Sequence, residues 1–493
     1  MTISVLGTPW AAPGEQQFSL PTSLMLKLAL GEAPEHVPSI RDVTRGALAA
    51  AQYIDGGPVD RILAAFAGCF RAVRPFSAVA NRWISGQAHC GYDAVEHATG
   101  MSRTLLVRVP AGVSIAALCD SLAQLVSVES VTPNYVAVVP MDAPGRLAPV
   151  PQAAPSAQDA RAMVRMAEAH AIEPGDSGVV VGLIDSGIAR QHPEFAHAFR
   201  AGADTVRMEP GDLSPGVQLL SGHGHRGDFP EDRFVGHGMG CAGIIAAEGV
   251  AMPRGLGGDC RILPMRALAA ARLPGKPHAV GLGAIADLDR ALKLAVDLGA
   301  KVINMSFGTD DSAVAAHRPK PHADTVAYAS ARGCILVAAS GNNGSVTRYW
   351  PAAYPQVIAV GAVDDNGRPT SFSTRGEHVA LCAPGEKVLT SAIDAYQLAT
   401  GTSFAAPFVA GAAALLVAYA QRRAYPLDGE TVRDLLVTTA RPFAPGAAEG
   451  CGAGILDAAA ALQALSQRID TYVAAGDDGG TPEISKEGRA DDG

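Results

Sequence analysis

The sequence predicts an α/β protein: a parallel central sheet with helices on both faces, preceded by a small α/β module. Three observations predict it. Short continuous apolar runs recur at 179–184 (VVVGLI), 301–305 (KVINM), 334–339 (CILVAA) and 357–360 (VIAV), as expected of strands buried on both faces. Segments with helical spacing separate them. Ile285, Leu288, Leu292 and Leu298 fall in phase before Gly299, the mark of a helix packed on a sheet and then stopped. Finally, polar residues sit just beyond the apolar runs, Asp185 after the first and Asn342 after the third. Open α/β sheets place their sites at those strand ends.

The elements follow in order. Residues 1–100 read as an extension of unassigned role, with short helices over 43–53 and 59–70. Residues 101–140 form the small module. A strand (TLLVRV, 104–109) leads to a helix capped by Ser114 with Ile115, Leu118, Leu122 and Leu125 in phase, and then to extended chain over 128–139. Residues 141–158 are rich in Pro and Ala and form a linker open to proteases. The main domain spans 159–465. Residues 466–493 end in a run dominated by Asp and Glu and read as a solvated, disordered tail.

Composition excludes several classes. The 493 residues are 48% hydrophobic and only 18% charged, enough for a large core and against disorder. With 39 basic and 48 acidic residues the net charge is −9, which argues against a nucleic-acid partner. The N-terminus lacks a basic n-region and a continuous apolar stretch, so no secretory signal is expected and the location is read as cytoplasmic. The uncharged window 395–420 contains Gln397, Thr400, Ser403 and Pro407, too polar and broken for a membrane span. It reads instead as a polar loop followed by a buried helix. The eight cysteines contain no C-x-x-C pair, so free buried thiols are expected rather than zinc or disulfides.

Four polar residues carry chemistry together: Asp185 in IDSG, His237 in VGHGMGCAG, Asn342 in AASGNNG and Ser403 in GTSFAAPFVAGAAALL. A serine hydroxyl needs a base to remove its proton. A histidine is suited to that at neutral pH. A buried carboxylate fixes the imidazole tautomer and stabilises the imidazolium. The oxyanion formed on attack needs donors, for which the Asn342 amide and the Ser403 N–H at a helix start are suited. Each residue alone has a plain structural role as a strand-end cap, turn or helix cap. The set, in the order Asp, His, Ser, does not.

These segments resemble the subtilisin-like (subtilase) serine protease family over 159–465. The resemblance rests on VVVGLIDSGIARQHPEF, GHGMGCAGIIAA, KVINMSFG, ILVAASGNNG, WPAAYPQVIAVGAVD and GTSFAAPFVAGAAALL. It implies a serine endopeptidase acting through an acyl-enzyme, with Asp185, His237, Ser403 and Asn342 catalytic. It further implies that Ser306, Phe307 and Gly308 form one wall of the pocket for the residue before the scissile bond, and Ala339, Ser340 and Gly341 the other. Residues 101–140, ending in VESVTPNYV, resemble the family's inhibitory propeptide. That implies a zymogen that cuts itself in the 141–158 linker. The expected partners are a protein or peptide substrate and the chain's own propeptide.

The chain departs from the family in places. Met239 and Gly240 stand where the family has Thr-His. Asp185 and His237 lie 52 residues apart, and the extra length, including GHGHRGDFPEDR, reads as a polar surface insertion. His223 and His225 in it read as solvated loop residues, and Cys241 as a buried core residue. No metal site is expected. Calcium is a family habit, but the loop that often binds it is replaced by AEGVAMPRG, so no cofactor is assigned. Tyr349 falls where many relatives carry a small residue at the pocket floor, although some carry Tyr, so pocket depth is left open. Asp310 and Asp311 suggest a preference for basic residues upstream of the cut. Two alternatives stand beside the endopeptidase: a catalytically impaired binding or regulatory protein, motivated by Met239 and Gly240, and an acyl-transfer ligase or cyclase.

Overall fold

Seven parallel strands form the central sheet, in the order Val379–Pro384, Val357–Val363, Ile335–Ala339, Val302–Met305, Val180–Asp185, Arg261–Arg266 and Ala203–Asp204. The computed structural model describes residues 19–477 apart from 33, 79, 85–86, 140–155, 214–215, 222–228, 275–277, 315, 445 and 447–448. His223, His225, most of the 141–158 linker and residues 478–493 therefore lie outside the described residues. The predicted runs are strands because they are apolar on both sides: all six residues of Val180–Asp185 are buried. Chain order reverses at that strand, which opens a crevice beyond its carboxyl end. Asp185 is its last residue.

One face of the sheet carries helices His237–Ala246, Thr402–Arg422 and Ala458–Asp477. The other carries Ile285–Asp297 and Ala323–Ala331. Helix Thr402–Arg422 is long and apolar enough to cross a membrane, but its apolar stretch is wholly buried inside the protein. It is the central core helix. Small residues such as Ala405, Ala406, Ala410 and Gly411 let it approach its neighbours closely.

The expected boundary at residue 100 is not there. Strand Ser19–Leu28 lies between Thr104–Arg108 and Val128–Val138, pairing antiparallel with both. Its Leu24 and Leu26 share one core with Leu105, Val107, Leu118 and Leu122. The module therefore begins by residue 19 and runs to 139. Of the early helices, Pro58–Ala67 forms as expected. The other is only Ile40–Thr44, since Gly46 turns the chain at φ 71°. The acidic tail is also shorter than expected. Leu462, Leu465 and Ile469 recur at helical spacing and are buried, so Ala458–Asp477 continues as helix past residue 465.

The module joins the main domain through a shared sheet. Strand Val128–Val138 leaves its partner Ser19–Leu28 and pairs over 136–138 with Ala279–Ala284 of the main domain. That strand pairs in turn with Ala269–Arg272, and the latter with Gln218–Ser221. The result is one antiparallel sheet of seven strands, four from the module and three from the main domain. The insertion between Asp185 and His237 thus contributes a strand, where a polar surface loop was expected. The apolar side chains Val206, Met208 and Leu219 tie it down.

Candidate active site

His237 opens its helix, and every residue of that helix is buried. Its Nδ1 lies 2.8 and 3.0 Å from the two carboxylate oxygens of Asp185. A carboxylate only accepts, so Nδ1 carries the proton and Nε2 presents its lone pair. Nε2 is buried and meets no hydrogen-bond partner among the described residues. Ser403 stands in the first turn of helix Thr402–Arg422, 1% exposed. Its hydroxyl does not reach His237. It donates to the Ser306 carbonyl at 3.2 Å.

Pro407 explains how Ser403 is held. In an α-helix its nitrogen faces the carbonyl four residues back, that of Ser403, and has no hydrogen to give. The freed carbonyl takes two other donors, Ser306 Oγ at 2.8 Å and Cys241 Sγ at 3.4 Å. Asn304 Nδ2 donates to Ser306 Oγ at 2.9 Å. A chain of hydrogen bonds therefore ties the strand end Val302–Met305 to the serine helix. Cys241 is a donor here, not a nucleophile. Burial, with the Asp185 charge beside it, pushes its thiol well above the ordinary range and keeps it protonated. Asp185, His237 and Cys241 form a compact potential ligand set, but the carboxylate is engaged with His237 and the thiol with a carbonyl.

The Asn342 amide is oriented by its partners. Its Oδ1 accepts from Thr402 N at 2.9 Å and Thr402 Oγ1 at 2.8 Å. Nδ2 is thereby the end turned towards Gly401, beside Ser403. The Ser403 N–H belongs to the helix's first turn, which has no intrahelical acceptor.

The Met239 and Gly240 departure has a packing reason. A Cβ on Gly240 would lie 2.7 Å from Phe404 Cε1. The Phe404 ring occupies that space and packs against the His237 ring, with centroids 5.1 Å apart. Met239 Sδ accepts from Ala189 N at 3.0 Å, and its carbonyl accepts from Ser391 Oγ at 2.6 Å. The helix thus keeps firm anchors. Asp232, in the segment read as a surface insertion, is buried as well. It accepts from Ser186 Oγ and from the N–H groups of Phe234, Val235 and Gly236, which fixes the turn into His237.

Ser306, Phe307 and Gly308 follow one central strand, and Ala339, Ser340 and Gly341 end and follow its neighbour. Both serine hydroxyls turn inward, Ser340 onto the Thr374 carbonyl at 3.0 Å. The walls they form are backbone walls. The module's strand runs along the first of them. Val138 and Gly308 face each other as an antiparallel bridge, with N···O distances of 3.4 and 3.5 Å, and Val139 N–H donates to the Gly281 carbonyl at 3.1 Å.

The family model of the subtilases matches residues 176–454. The chain belongs to the subtilase family of subtilisin-like serine proteases. It is 33% identical to subtilisin BL of Lederbergia lenta over 291 residues, covering 58% of this chain and 91% of that protein. It is 36% identical to the thermophilic serine proteinase of Bacillus sp. (strain AK1) over 253 residues, covering 50% of this chain but only 53% of that relative. Among solved structures it is similar to the prenylagaramide maturation protease PagA, with TM-score 0.49 and 27% identity, covering 61% of this chain and 98% of that one.

One expectation about this subtilase changes. Asp310 is buried, and Asp311, though part-exposed, is already engaged. Asp310 accepts from Asn343 Nδ2 and from Ser312, and Asp311 from Trp350 Nε1 and Lys320. The loop after the His237 helix also has its own filling. Glu194 is fully buried and accepts from the N–H groups of Gly249, Val250, Ala251 and Met252 at 2.6–3.0 Å. Backbone N–H groups converging on a carboxylate make a cradle for an anion, and calcium requires oxygen ligands instead. This loop does not fit the metal.

Proposed function

We propose that this subtilase is a serine endopeptidase made as a self-processing zymogen, with Ser403 as nucleophile. His237 is the general base, Asp185 orients it, and Asn342 Nδ2 with the Ser403 N–H binds the oxyanion. The observation that carries the reading is the buried Asp185–His237 pair, whose Nε2 meets no partner among the described residues and whose ring packs on Phe404 in the first turn of the serine helix. A substrate strand donating an N–H to the Ser306 carbonyl displaces the Ser403 hydroxyl, which then rotates to His237. The Ser403 proton passes to Nε2 as Oγ bonds to the substrate carbonyl carbon. The new negative charge falls on the carbonyl oxygen, between preorganised donors; in subtilisin, removing the side-chain donor costs about 10²–10³ in kcat. The imidazolium then protonates the leaving amine, and water releases the acyl group by the same route in reverse.

Residues 19–139 are the propeptide in this reading. Its support is the strand 136–139, which lies between Ala279–Ala284 and Gly308 as an extended substrate would. The cut falls in the linker that follows.

Ser403→Ala tests the reading. It should abolish peptide hydrolysis and self-processing and prevent fluorophosphonate labelling, while leaving the fold intact. Full activity in that variant would sink the proposal. Folded, processed wild-type protein that takes no label would favour a binding protein, and ligated product masses would favour acyl transfer to an amine.

A further inference from the structure

We propose that Tyr349 closes the pocket for the residue before the scissile bond, so that this subtilase cuts after Gly, Ala or Ser. The inference rests on the endopeptidase reading and adds the substrate class.

The position of that pocket follows from the strand register. Residue 138 faces Gly308, so an extended peptide carried two residues further comes opposite Ser306. The Ser306 carbonyl holds the Ser403 hydroxyl, so the peptide carbonyl to be attacked belongs there. Its side chain turns into the gap between residues 306–308 and 339–341, which leave neighbouring strands of the central sheet.

Both walls offer a glycine to that gap, and one ring occupies it. A Cβ built on Gly308 would lie 2.2 Å from Tyr349 Cδ1. A Cβ built on Gly341 would lie 3.0 Å from Tyr349 Cδ2. The two edges of the ring thus touch both walls. Gly341 also holds φ at 109°, which other residues rarely adopt. Tyr349 is 4% exposed.

The backbone that carries the ring is held. Tyr349–Trp350 pairs antiparallel with Thr309–Asp310, directly after the first wall. Trp350 Nε1 donates to Asp311 at 2.7 Å, and Asn343 Nδ2 ties the second wall's turn to Asp310 at 2.8 Å. Admitting a bulky side chain means moving the buried ring out from between the walls. The acids after the first wall therefore hold the plug, and both carboxylates are already engaged.

The test is a series of peptide p-nitroanilides differing only in the residue before the cut, with processed enzyme. Ala should exceed Phe, Leu and Lys in kcat/KM by about 100-fold or more, within the range that pocket fit commands. Tyr349→Gly should raise Phe and Leu by about tenfold or more, and Tyr349→Phe should keep the wild-type preference. Wild-type enzyme that labels at Ser403 yet cuts after Phe as well as after Ala overturns this inference alone. If no substrate is cut and no label is taken, the endopeptidase reading falls and this inference with it. The wild-type series decides even if Tyr349→Gly fails to fold.

Discussion

The N-terminal module meets the protease along two seams of opposite character. Along the strand seam, residues 136–139 are held by backbone groups of Ala279–Ala284 and Gly308. Along the helix seam, side chains do the holding. Lys293 of helix Ile285–Asp297 is 2% exposed and gives its three hydrogens to Glu96 and Ser77 of the module and to Asp297. Lys27 reaches Asp324 at 2.9 Å, and Arg332 and Arg318 reach Asp93 and Asp120. Backbone pairing accepts any extended peptide, so under the proposed zymogen reading the strand seam is where substrate would compete. The buried Lys293–Glu96 pair accepts only a partner that completes it, so in that reading the helix seam would make this module specific to this enzyme.

The contrast breaks most sharply at Glu96. In the uncleaved Ser403→Ala protein, Glu96→Ala leaves Lys293 buried with a partner missing, and should lower unfolding stability by about 3–5 kcal/mol. Adding Lys293→Met should restore most of it, because replacing both charges removes the unpaired ion. A loss of under about 1 kcal/mol in denaturant titration, the range of an exposed pair, would show that the seam is not built on this ion pair.

The helix that carries the helix seam also holds a pH-sensitive group. Asp287, in the first turn of the same helix, accepts from Arg207 N, and burial pushes its carboxyl from 3.8 up to about 6. A carboxyl whose folded value is raised gives up stability as pH climbs from its unfolded value through its folded one. Between pH 4 and pH 6 the protein should lose up to about 3 kcal/mol from this group. Asp287→Asn should flatten that slope in thermal melts taken across the range. An unchanged slope would assign it elsewhere.

The smallest expected effect is on the strand seam. Replacing the Val138 amide by an ester removes one N–H from a long bond to Gly308 while keeping the buried side chain, and should cost about 1 kcal/mol. A loss as large as that from Glu96→Ala would reverse the ranking of the two seams.

What the sequence made legible follows from where the chemistry is written. Asp185, His237, Asn342 and Ser403 each sit in a short local motif, because glycines and small residues must surround them for backbone to approach. The alternating parallel sheet is written in apolar runs four to six residues long. Strand Ser19–Leu28 carries no such signature: it includes Pro21, and its partners lie about 80 to 110 positions away. The module's true start was therefore hidden. Phe404 acts through a contact with a distant helix, and Asn304 and Asp232 matter because Ser306 and Ser186 carry their local bonds on to distant elements. Gly240 was visible as a departure, yet its reason is the Phe404 ring 164 residues on, which no local pattern states. Pro407 is visible in the sequence as a break in an apolar window, but its consequence for the Ser403 carbonyl needs the donors Ser306 and Cys241 beside it.

The shared seven-stranded sheet matters for the proposed cut. If the module is released, the sheet must split between Val128–Val138 and Ala279–Ala284 and leave two raw edges. On the enzyme, the bare N–H and C=O row would be open to an extended substrate. On a released module the same row, four strands deep and rich in valine, would invite stacking with other chains. A fragment set free in this way would be sticky by construction.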